Sequence, residues 1–158
     1  MMMRAMLSLA AATLLGACAA FGPPDIETSR TYANLGPEAL YQRTLEALRA
    51  SQLEVTRSDP ASGVIGAVGR FEQRGWAECT QPRRIVEDSE DREEVVGARV
   101  DYRRVELMAS VQGGAEGATL TLDPSFTAEP VSPMATTEEC RTTGQLERQI
   151  LEAVAAQS

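Results

Sequence analysis

Two one-sided helices bracket the middle of this chain, and neither is stable unless something covers its apolar stripe. Residues 37–51 read PEALYQRTLEALRAS. Pro37 suits a first helical position and Glu38 complements the dipole of a first turn. Tyr41, Leu45 and Leu48 recur at i, i+4 and i+7 with Leu40 and Thr44 beside them, while Gln42, Arg43, Glu46 and Arg49 take the other side. A second stripe of Leu146, Ile150, Ala153 and Val154 runs through LERQILEAVAAQ. Thr142 and Gln145, just before it, have capping-box spacing.

The residues between the helices alternate with period two. Leu53 and Val55 alternate with Glu54 and Thr56, the turn Ser58-Asp59-Pro60-Ala61-Ser62-Gly63 follows, and Val64 to Phe71 read as the returning strand. In ARVDYRRVELMASV, residues 98–111, Val100 and Tyr102 share one parity and Val105, Leu107, Ala109 and Val111 the other. One extra residue near Arg103-Arg104, a β-bulge, would restore a single face. The loop at residues 112–117 then leads to a strand over 118–123, with Leu120 and Leu122 inward. The expected architecture is α+β: four antiparallel strands flanked in sequence by two helices on one face.

Composition narrows the chemistry. The chain has no histidine, and each of its 15 basic residues is arginine. Histidine-dependent nucleophiles, histidine-ligated metals, Schiff bases and P-loop lysines are therefore unavailable. Only carboxylates, tyrosine or a thiol remain as general acids or bases. The net charge of −8 disfavours nucleic acid, which requires basic surface to release counterions. No cofactor is expected.

The N-terminus has secretory grammar: Arg4, an apolar run from Ala5 to Leu15, then small residues. The residues alone also admit a buried core helix, which the Gly-Ala-Cys-Ala-Ala ending suits poorly, an uncleaved span at the bottom of the length range, or an ordinary signal cut elsewhere. Leu15-Gly16-Ala17-Cys18 resembles the bacterial lipobox. That resemblance implies cleavage before Cys18 and acylation of its thiol, which holds a protein on a membrane without spanning it. Ala19, where aspartate would favour inner-membrane retention, implies the periplasmic face of the outer membrane. The expected organisation is a signal peptide over 1–17, an acylated tether over 18–36, within which a short strand around Thr28 to Ala33 is an alternative, and one domain over 37–158.

With Cys18 set aside, Cys79 and Cys140 remain. Both fall in segments that read as irregular, 75–96 and 128–141. In an oxidising compartment such an even pair is expected to form a disulfide, the alternative being one buried and one exposed thiol. Two cysteines without histidine fall short of a metal site.

Three further features carry weaker signals. Residues 87–94 hold six carboxylates but lack the glycine-centred spacing of a calcium loop, so a solvated acidic loop is expected. Arg83-Arg84 and Arg103-Arg104 are candidates for an anion site, or for ion pairing with neighbouring acids. Trp76 is a candidate groove-lining residue, or one that packs on the nearby disulfide. Trp76, Arg103 and Arg104 form the candidate binding set.

Residues 45–55 with Asp59 and Gly63-Val64-Ile65 resemble the helix–strand–turn–strand unit of helix-grip modules in small envelope lipoproteins, among them the C component of the outer-membrane β-barrel assembly machine. The expected function is a non-enzymatic lipoprotein that binds a protein partner in envelope assembly or maintenance. The alternative is a module for a small molecule or cell-wall fragment. A carboxylate-based hydrolase ranks third, since it needs two acids converging in a cleft with unlike environments.

Overall fold

The computed structural model describes residues 25–71, 75–79, 83–87, 93–97, 100–131 and 137–157. Within them the order is β1 (Ser29–Tyr32), α1 (Pro37–Ala50), β2 (Glu54–Asp59), β3 (Val64–Arg70), β4 (Ala77–Glu78), β5 (Arg83–Glu87), β6 (Glu93–Gly97), β7 (Val100–Gly114), β8 (Gly117–Pro130), β9 (Glu138–Thr142) and α2 (Gln145–Ala156). The fold is α+β, but its main antiparallel sheet has seven strands rather than four. The path is β2-β3-β7-β8-β9-β4, with β1 also paired to β8; β5 and β6 form a separate ribbon. Segments 75–96 and 128–141, expected to be irregular, thus contain strands. Residues 88–92, most of the acidic loop, lie outside the described residues, as do Leu15 to Cys18.

The helix α1 buries the predicted stripe, Leu40, Tyr41, Thr44, Leu45 and Leu48, together with Ala47. It closes in a Schellman arrangement: Leu53 N–H bonds Leu48 O at 3.0 Å and Gln52 N–H bonds Arg49 O at 2.9 Å, with Gln52 at φ 60°. Helix α2 buries Leu146, Glu147, Ile150, Leu151 and Val154. The expected capping box is absent. Gly144 occupies the N-cap in a left-handed conformation, and no side chain caps the helix. Thr142 is drawn instead toward Glu147, as described below.

Strands β7 and β8 form the spine, paired from Val100↔Pro130 to Gly114↔Gly117. A bulge does break the register of β7, but it falls between Val100 and Tyr102 rather than at Arg103-Arg104. Alternate residues Val105, Leu107, Ala109 and Val111 meet Phe126, Leu122 and Leu120 on the helix-bearing face, and all are buried. Both helices contribute to this single core.

The first strand is part of the sheet. Ser29–Tyr32 pairs with Ala118–Thr121, Leu122 N–H bonds Thr28 O at 2.7 Å, and Tyr32 is buried. The domain therefore begins before residue 37, and part of the expected 18–36 tether belongs to the fold. Gly117 is required here: at φ +126°, its missing Cβ makes room for the backbone oxygen of Tyr32.

Candidate functional site

The candidate binding set is dispersed. Arg103 and Arg104 are neighbours on a strand, so their side chains leave opposite faces. Arg103 is paired with buried Ala128 on the helix-bearing face; Arg104 is paired with Thr127 on the other. Arg104 reaches Glu106 Oε1 at 2.8 Å, so ion pairing with a neighbouring acid accounts for it. Both partners are largely solvated, and such a pair adds little stability. Trp76 is 1% exposed and belongs to the core, with half-buried Cys79 and Cys140 packed against the same cluster. It borders a shallow hollow with Ser51, Gln52 and Gln149 but offers it almost no surface.

The disulfide is present between Cys79 and Cys140, with Cα atoms 4.3 Å apart. The geometry follows from the strands: β4 and β9 pair Glu78 with Arg141, and the next pair along is the two cysteines. The bond fastens the start of the 72–99 excursion to the strand that leads into α2.

Beyond that bond the chain builds a tight corner. Thr143 N–H bonds Trp76 O at 2.9 Å, and its hydroxyl donates to Gly75 O at 2.6 Å and Trp76 O at 3.0 Å. Thr142 Oγ1 accepts from Gly144 N–H at 3.0 Å and donates to Glu147 Oε1 at 2.8 Å. Glu147 is fully buried, and among the described residues its Oε2 has no hydrogen-bond partner. Sequence reading placed the apolar stripe of α2 without noticing that Glu147 faces inward; its position one after Leu146 and three before Ile150 was the available signal.

At the opposite pole lies a cleft of about 680 Å³, between the start of α1, the β2–β3 turn and the end of β7. Pro37, Tyr41, Pro60 and Val111 give it apolar walls, and Glu38, Gln42 and Gln112 its polar groups. Tyr41 Oη lies 2.8 Å from Ser58 Oγ, and the turn is docked by Val111 N–H on Gly63 O at 2.9 Å. Gly63 has φ +72°, and a Cβ there would strike the carbonyl of Val111. Asp59 orders the turn: the Ser62 hydroxyl and the N–H groups of Ser62 and Ala61 bond its carboxylate and hold its pKa below the usual value. Among the described residues, Glu38 is the carboxylate that lines this cleft.

The sheet face away from the helices is broad and mixed. Val64, Gly66, Val68 and Arg70 of β3 lie opposite Ser110, Met108, Glu106 and Arg104 of β7, which lie opposite Thr121, Asp123, Ser125 and Thr127 of β8. Met108 is 44% exposed, a large apolar side chain in the middle of this face. Hydroxyl pairs extend the surface onto β1, with Ser29 to Thr121 at 3.1 Å and Thr31 to Thr119 at 2.9 Å.

Among the described residues, no group of three or more His, Cys, Asp or Glu side chains is placed to hold a metal ion. No described helix is long and apolar enough to cross a membrane. No protein-family model matches this chain, and no curated protein is similar to it in sequence.

Proposed function

We propose that this protein is a lipoprotein held by Cys18 on the periplasmic face of the outer membrane, where its domain binds a protein partner in envelope assembly or maintenance without catalysing a reaction. The carrying observation is the Cys79–Cys140 bond. A disulfide suits an oxidising, extracytoplasmic compartment. It also leaves Cys18, at the end of the lipobox-like stretch, as the one cysteine of three outside the pair. The absence of histidine and lysine from the sequence supports a binding role over nucleophilic or Schiff-base chemistry.

The partner surface that best fits this reading is the open sheet face. It is wide and shallow, with Met108 among hydroxyls and charges of both signs, and it suits another protein's surface better than a small ligand. In-cell cross-linking from cysteine-free photoreactive residues at Met108 and Ser125 tests it. A discrete envelope protein should be captured from these positions and not from exposed Glu46 on α1. Recovery of the domain alone from every position removes the basis for a protein partner.

The Pro37–Gly113 cleft favours the second reading, a small molecule or cell-wall fragment. Saturable protection of the β2–β3 turn from hydrogen exchange by muropeptides would select it over the first.

A further inference from the structure

The structure shows where the chain enters the fold from Asp25 onward, and that point bears on which side of the domain a short N-terminal tether would hold toward a bilayer. Ile26 packs against Gly144 at the start of α2: its Cγ2 lies 3.0 Å from where a Cβ on Gly144 would stand. Thr28 is tied to Leu122, and Ser29–Tyr32 is sheet. Gly144 follows Thr143, which grips the backbone of Gly75 and Trp76. The point of entry, the corner before α2 and the root of the disulfide-fastened excursion are therefore one shoulder of the molecule.

From this arrangement we infer that the Ile26–Thr143–Gly144 shoulder faces the bilayer that holds Cys18. The inference rests on the proposed acylation of Cys18. Because the chain is captured from Asp25 onward, residues 18–24 alone separate lipid from domain. Fully extended, they reach at most about 25 Å. A free tether to residue 36 would have more than doubled that radius.

The opposite pole points away. β1 runs from the shoulder toward the β7–β8 hairpin tip, where Tyr32 pairs with Ala118. From Leu122 to Gly117, β8 covers a further distance of about 17 Å. The Pro37–Gly113 cleft lies at that far pole, on the order of 50 Å from the headgroups at most. The open sheet face runs between the two poles.

The single tryptophan reports on the geometry, since Trp76 belongs to the shoulder. The test uses the full-length acylated protein, reconstituted in vesicles of phosphatidylethanolamine and phosphatidylglycerol with a trace of dansyl-labelled lipid. Energy transfer from Trp76 is compared with that of a variant carrying a sixteen-residue Gly-Ser insertion between Pro24 and Asp25. The insertion adds a root-mean-square span of about 20–24 Å outside the folded part. Transfer should be strong in the parent and at least twofold weaker in the insertion variant, with the emission maximum of the unlabelled proteins unchanged. Equal transfer in the two proteins, both shown by mass to be acylated, overturns the inference and leaves the anchor intact. An unmodified Cys18 in the membrane-isolated protein overturns the anchor, and this inference with it.

Discussion

Tyr32 donates its phenolic hydroxyl to the carbonyl oxygen of Leu151 at 2.9 Å, joining the first strand to the last helix across 119 residues. The bond is buried, and it closes the sheet edge at which the chain enters the domain. Burial raises the Tyr32 pKa above its ordinary 10.0, against the opposing effect of Arg30. The neutral phenol is thus favoured in the folded state. Its contribution is complete below pH 10 and is lost as pH rises through the folded value. Tyr32→Phe should cost about 1 kcal/mol at neutral pH, the usual net value of one hydrogen bond. It should also flatten the fall in stability above pH 10. Urea titrations followed by Trp76 emission at pH 7 and pH 10.5 measure both effects; an unchanged alkaline slope contradicts the assignment.

The Cys79–Cys140 bond closes a loop with a sequence separation of 61. The chain-entropy relation gives about 4 kcal/mol for a loop of that length. Replacing both cysteines by serine should lower stability by an amount of this order. The loss should appear first as faster hydrogen exchange at Thr143 and Trp76, because the bond holds the excursion beside that corner. A change under 1 kcal/mol would show that pairing of β4 with β9 already holds the segment in place.

Glu147 is buried with one carboxylate oxygen on Thr142 and the other without a partner among the described residues. An unpaired buried carboxylate oxygen is costly, and the favourable field of the helix N-terminus returns only part of that cost. Glu147→Leu removes both oxygens and leaves an apolar side chain among the buried residues of α2. It should raise stability at pH 7 by about 1 kcal/mol. A loss of that size would mean that the carboxylate organises the corner more than it strains it.

The helices were legible because a 3.6-residue period carries one message: the whole expected stripe of α1 is buried, and so are Leu146, Ile150 and Val154 of α2, where Glu147 and Leu151 join them and Ala153 is only partly buried. The sheet was legible only where alternation was uninterrupted. The expected strand over 118–123 stops just before Pro124, whereas β8 runs on to Pro130. In the fold, Leu122 N–H points away from β7 to Thr28 O, and Pro124 has the same parity. The missing N–H therefore faces the gap between β1 and β9, and the strand continues. β4 has two residues and no sequence signal of its own; β9 exists because β8 and the disulfide hold it. The candidate site failed for a related reason. Arg103 and Arg104 read as a basic pair only while their backbone is undefined; an extended strand separates them. Trp76, half a reading for a groove and half for a disulfide neighbour, is core.

The account turns on the thiol of Cys18, and intact-mass analysis of the protein extracted from membranes addresses it directly. The predicted result is a chain beginning at Cys18, carrying diacylglycerol on its sulfur and a third acyl chain on its amino group. The Cys18→Ser form should be recovered uncleaved and unacylated. A native protein beginning at another residue, or one with a free Cys18 thiol, would contradict the account.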